Sequence, residues 1–134
     1  MKRVFYGVAF AAAAALTVAA CGGGDDGPTT PTNPGGTGGP IAATITIGSD
    51  GRIANPNVTV AVGSRVTFTN NDSRVHDMNS DPHPEHTQCR EINVGSLAPG
   101  QSRTSENLTT ARRCGFHDHL QPDNAALLGS ITVQ

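Results

Sequence analysis

Basic residues are scarce in this chain, and the scarcity deepens once its first 20 residues are set aside. Nine lysines and arginines less Lys2 and Arg3 leaves seven, all arginine, against eleven acids, a balance of −4. Nucleic acid is bound through a basic face, so that class of partner is excluded. The chain also lacks a Gly-Lys-Ser/Thr phosphate loop and a serine-centred nucleophile elbow, which leaves hydrolase chemistry without machinery; no enzymatic role is expected. No apolar run is long enough to cross a membrane, and beyond the first 20 residues no stretch has helical periodicity. From Gly22 to Pro40 there is no aliphatic residue at all, so this segment has nothing from which to build a core.

The positive features begin at the N-terminus. Met1-Lys2-Arg3 precedes an apolar stretch from Val8 to Ala20, the layout of a cleavable secretory signal. Small residues directly before a cysteine, in Val18-Ala19-Ala20-Cys21, resemble the lipobox of bacterial lipoproteins. That resemblance implies lipidation of Cys21 and attachment to a lipid membrane, since each buried methylene of an acyl chain contributes about 0.8 kcal/mol. The expected location is exported, on the periplasmic side or the cell surface, with Gly22 after the cysteine favouring the outer membrane. Residues 1–20 are then the signal peptide, and 21–40 are a Gly/Pro/Thr-rich tether holding a domain off the lipid. Residues 41–134 form one small domain, expected to be monomeric, because about 100 residues support a single modest core.

Alternation in Thr44-Ile45-Thr46-Ile47 and Arg65-Val66-Thr67-Phe68-Thr69 places Ile45, Ile47, Val66 and Phe68 on buried strand faces. Turn signals at Ser49-Asp50-Gly51, Ala61-Val62-Gly63-Ser64, Asn70-Asn71-Asp72-Ser73 and Ala98-Pro99-Gly100-Gln101 separate short strands. Further strands are predicted at 57–60, 74–80, 102–108, 110–114 and 129–133, with one helical turn within 123–128. Strands at this spacing predict an all-β, two-sheet Greek-key sandwich of about seven or eight strands.

All five histidines, His76, His83, His86, His117 and His119, fall in two short windows. The first window also holds Met78 and Cys89, and the second holds Cys114-x-x-His117. Two imidazoles and one thiolate in a trigonal plane are the donors of a blue copper centre, and strands with their joining loop can deliver them. His76, Cys114 and His117 are such a set. In an extended strand residues i and i+2 share a side, so His119 can reach the same ion as His117. His83, His86, Cys89 and Met78 are candidates for a secondary metal site.

The segment Asn57-Val58-Thr59-Val60-Ala61-Val62-Gly63-Ser64-Arg65-Val66-Thr67-Phe68-Thr69-Asn70-Asn71-Asp72 resembles the paired strands that lead to the first copper histidine of the cupredoxins. Cys114-x-x-His117 ahead of Gly129-Ser130-Ile131-Thr132-Val133 resembles their cysteine-histidine loop and final strand. The resemblance covers residues 42–134 and implies a cupredoxin-like sandwich, copper as cofactor, electron transfer, and a redox partner protein. It also implies His76, Cys114 and His117 as ligands. No methionine follows His117, which leaves Gln121 as axial ligand or an empty axial position beside Leu120.

Cys89 opens an alternative. With Cys21 lipidated, Cys89 and Cys114 are an even pair, and in an oxidising compartment such a pair forms a disulfide. Copper would then be held by imidazoles alone, His76, His117 and His119 with His83 or His86, as a type 2 binding or carrier site. Other readings are a structural zinc held by His86, Cys89, Cys114 and His117, a metal-free sandwich, and a superoxide dismutase suggested by Gly115-Phe116-His117-Asp118-His119. Asp77, Glu85 and Asp118 are candidate acceptors that orient ligand imidazoles.

Overall fold

A computed structural model of the protein describes residues 38–134. The signal peptide, the lipobox with Cys21 and most of the tether lie outside the described residues. Eight strands follow in order: β1 (Ile41–Ile47), β2 (Asn57–Val60), β3 (Arg65–Asn70), β4 (His76–Ser80), β5 (Gly95–Leu97), β6 (Ser102–Thr104), β7 (Arg112–Asp118) and β8 (Gly129–Val133). One 3-10 turn at Arg90–Ile92 precedes β5, and another at Ala125–Leu127 falls inside the expected 123–128 window. In the second turn the Asn124 side chain accepts from the Ala126 N–H and caps its start.

The strands form two sheets, β1-β3-β6 and β2-β8-β7-β4-β5. β1 runs parallel to β3 and β2 parallel to β8, while the other pairs are antiparallel. Alternation does what the sequence predicts: Ile45, Ile47, Val66 and Phe68 are all fully buried. They meet Met78, Leu97, Cys114, Phe116, Ile131 and Val133 of the five-stranded sheet in one core. Phe68 and Phe116 join the two layers edge to face, with ring centroids 5.4 Å apart.

Two expected strands change shape. The 110–114 strand starts at Arg112 and continues to Asp118, so that both histidines of the second window sit on or just beyond a regular strand. The 102–108 strand is regular only over Ser102–Thr104, after which single bonds continue the pairing, from Ser105 N–H to Val66 O of β3 and from Leu108 N–H to O of Ser64, just before β3. β5 was not foreseen, because three residues with one apolar side chain carry no periodicity.

Register decides which side of the sheet each site residue faces. Met78 lies opposite Asp118, Asn79 opposite His117, and Ser80 opposite Phe116. Strand period two therefore puts His76, Met78, Cys114, Phe116 and Asp118 on the core face, with Gly115, His117 and His119 on the other.

Candidate metal centre

The loop after β4, Asp81 to Gln88, is held against the middle of β7 by backbone and side-chain bonds. The Asp81 N–H donates to Gly115 O at 3.0 Å, and the Gly115 N–H donates to Oε1 of Gln88 at 2.8 Å. Gln88 N–H returns to Asp81 O at 2.8 Å, closing the base of the loop. Within it Pro82 and Pro84 restrict the backbone on both sides of His83. His86 has φ of 51°, in the left-handed region that few side chains adopt. Its N–H donates to Pro82 O at 2.8 Å and its carbonyl accepts from Nδ2 of Asn93 at 2.9 Å, which hold it there. Non-glycine residues in this region carry strain of order 1–3 kcal/mol, and they cluster where a side chain must be aimed.

The result is a convergence of imidazoles. Among the described residues, His83, His86 and His117 form a group whose ligand atoms lie within 4.8 Å of one another. His83 is exposed, His86 half-buried and His117 buried. His119 completes the cluster, its ring centroid 4.9 Å from those of both His83 and His86.

Tautomers follow from the partners. Nδ1–H of His117 donates to Oδ1 of Asp81 at 2.8 Å, which leaves Nε2 with its lone pair. That Nε2 is the one buried side-chain nitrogen or oxygen without a hydrogen-bond partner among the described residues. A buried polar atom left unpaired costs about 1–3 kcal/mol, so such an atom calls for a partner the protein chain does not supply. Nδ1–H of His86 donates to Ser80 O at 2.9 Å, and its Nε2 accepts from Nδ1–H of His119 at 2.8 Å. Metal-ligating histidines typically donate their other ring N–H to a carboxylate or a backbone carbonyl, as His117 and His86 do here. A set of imidazoles suits copper and zinc alike.

Several sequence expectations are revised. Cys114 is bonded to Cys89 across a Cα–Cα distance of 5.7 Å, and both are fully buried in the core. Neither sulfur is a thiolate, so Cys114 is not a blue-copper ligand, and the zinc set of two cysteines and two histidines is excluded along with it. His76 does not join the cluster either. It is fully buried, with Nδ1 2.8 Å from Oδ2 of Asp118 and Nε2 3.0 Å from Oδ2 of Asp72, so both nitrogens are engaged. Met78 is fully buried in the core on that same face, away from the imidazoles. Gln121 is spent on the turn after β7, where its Oε1 accepts from Nδ2 of Asn124 at 3.1 Å.

The orienting acids differ from those expected. Asp81 is the carboxylate on a cluster imidazole, and Asp72 was likewise passed over; Asp81 stands two residues before His83, the one hint the sequence held. Asp118 orients His76 rather than a cluster histidine, and Asp77 accepts from Nδ2 of Asn79 at 2.7 Å. Glu85 is exposed. The Asp72 carboxylate is held down to about 2, chiefly by its bond from His76 and further by Arg74, whose Nε donates at 2.9 Å.

No protein-family model matches the chain, and no curated protein matches it in sequence. Solved structures do match. A purple cupredoxin from Nitrosopumilus maritimus superposes with a TM-score of 0.56 at 23% identity, over 69% of this chain and 99% of its own. A plastocyanin from Dryopteris crassirhizoma gives 0.53 at 21% identity, over 68% of this chain and 99% of its own. A mutant amicyanin in its Cu(I) form gives 0.51 at 18% identity, over 71% of this chain and 82% of its own. The two sheets, their core and these superpositions together identify the domain as a sandwich of the cupredoxin fold.

Proposed function

We propose that this domain binds one copper ion through His83, His86 and His117, with His119 as a fourth imidazole, the His86–His119 hydrogen bond opening to free Nε2 of His86 for the ion, and that its task is copper binding or carriage. The observation that carries the reading is the unpartnered Nε2 of His117, buried, fixed in tautomer by Asp81, and converging with His83 and His86. Copper is favoured over zinc by the likeness to cupredoxins and by the order of divalent affinities, in which Cu2+ stands above Zn2+ for a given nitrogen site. When bound, the ion would sit among imidazole nitrogens that suit the cupric state, without the soft thiolate or thioether that favours Cu(I). This donor set supports carriage over the electron transfer that the resemblance to the cupredoxins implied.

Export and lipidation of Cys21 belong to the same proposal. A monomeric domain on a tether at a membrane surface would meet copper outside the cytoplasm, where a buried disulfide is also stable. Replacing Cys21 with serine should release the protein from the membrane fraction.

Titration of the purified domain with Cu2+ and with Zn2+ tests the metal reading. One equivalent of Cu2+ should bind, more tightly than Zn2+, and His117→Gln should abolish tight binding. No stoichiometric uptake of either metal would refute the proposal.

A further inference from the structure

The position that resembles a copper ligand, His76, has a partner at each ring nitrogen and is the centre of a buried polar network. Its ring joins Asp118 on β7 to Asp72 in the loop before β4, and the side chains of His76 and Asp118 are fully buried. Asp118 spends its other oxygen on two backbone donors, Asp77 N–H at 2.9 Å and Leu120 N–H at 3.1 Å. Its carbonyl accepts from Gln121 N–H at 2.9 Å, and His119 N–H donates to Asp77 O at 2.7 Å. The residue between His117 and His119 is thus tied to β4 from the opposite side of the sheet. At the far end, Asp72 is set by Asn70, whose Oδ1 accepts its N–H at 2.8 Å and whose Nδ2 donates to Arg74 O and Leu97 O at 2.7 and 2.9 Å.

We infer that His76 is a positioning residue of the metal site: acting through Asp118, it fixes where β7 ends and so where His117 and His119 present their rings. This inference rests on the copper reading above for its consequence, and on the hydrogen bonds alone for its cause. Burying three charged or polar groups is costly unless they find partners, and here each ring nitrogen and carboxylate oxygen of the three side chains lies within 3.1 Å of one, which makes the network a rigid reference for the strand it holds. His117 and His119 lie on either side of Asp118 in sequence and on the opposite face of the strand. A shift of the Asp118 backbone therefore moves both imidazoles together.

The test uses His76→Gln and, as a variant that keeps the size of its side chain, Asp118→Asn. Thermal melts establish that each is folded at the working temperature, and Asp118→Asn stands in if His76→Gln is not. In the metal-free protein, nitrogen spectra of the imidazoles should show the His86–His119 hydrogen bond weakened and the His117 and His119 ring signals moved in both variants. In the copper-loaded protein, affinity should fall about tenfold or more, the scale seen when an outer partner of a ligand is lost. The electron paramagnetic resonance spectrum should shift with the number of coupled nitrogens unchanged.

Unchanged imidazole spectra in both folded variants would overturn the inference whether or not copper binds. A loss of one coupled nitrogen in His76→Gln would also overturn it, since His76 would then be a ligand. Failure of the unmodified protein to take up copper would refute the copper reading, and the metal-free spectra would still decide the role of His76.

Discussion

Removing the disulfide should cost this domain much of its stability without turning it blue. Cys89 and Cys114 close a loop with a sequence separation of 25. The chain-entropy relation gives the unfolded state about 11.7 cal/mol/K less entropy with such a loop closed, or about 3.5 kcal/mol at 25 °C. For a domain of this size each kcal/mol moves the melting temperature by roughly 4–8 °C, so Cys89→Ala with Cys114→Ala should lower it by about 15–25 °C. Both sulfurs are fully buried in the core, so their removal adds a packing loss in the same direction. Calorimetry of the oxidised protein and the double variant reads this difference directly. The single variant Cys89→Ser frees the Cys114 thiol, but Cys114 shares the core face with Phe116 while His117 faces the opposite side. Copper-loaded Cys89→Ser should therefore show no intense visible charge-transfer band. A double variant within about 1 kcal/mol of the parent, or a blue Cys89→Ser, would refute the reasoning.

Acid should weaken the fold through Asp72. Its carboxyl is lowered from the ordinary 3.8 to about 2 in the folded state, chiefly by His76, so its stabilising contribution is full above 3.8 and disappears as pH falls through 2. Urea unfolding between pH 4.5 and 2 should show this loss, and Asp72→Asn should flatten the dependence within that window. At the proposed copper site, a Cβ at Gly115 would collide with the carboxylate of Asp81, the acceptor that fixes His117. Gly115→Ala should therefore keep the far-ultraviolet dichroism of the parent while weakening copper binding about tenfold, as measured by competition with a chelator.

The core was legible in sequence because period two is a local property: Ile45, Ile47, Val66 and Phe68 need only their neighbours in the chain to declare a face. The same rule put His117 and His119 on one side, and the structure brings both into the imidazole cluster. His76 was not legible. Its face relative to His117 depends on the pairing of Met78 with Asp118 across two strands, and no local pattern encodes that register. The loop histidines His83 and His86 were undervalued for a related reason. A proline-flanked loop has no period, and only the closing bonds of Asp81 and Gln88 to Gly115 bring it over β7. For the cysteines, spacing argued for a ligand and parity argued for a disulfide, and the three-residue step from Cys114 to His117 within a continuous strand decides it. That step puts the two side chains on opposite faces.

The central claim, a copper site made of imidazoles alone, is tested most directly by the electron paramagnetic resonance and visible spectra of the domain loaded with one equivalent of Cu2+. The account predicts a type 2 signal coupled to three or four nitrogens, almost no visible colour, and collapse of that signal in His117→Gln. An intense visible band with a titratable thiol in the unmodified protein would contradict it, because Cys114 would then be bound to the metal and not to Cys89.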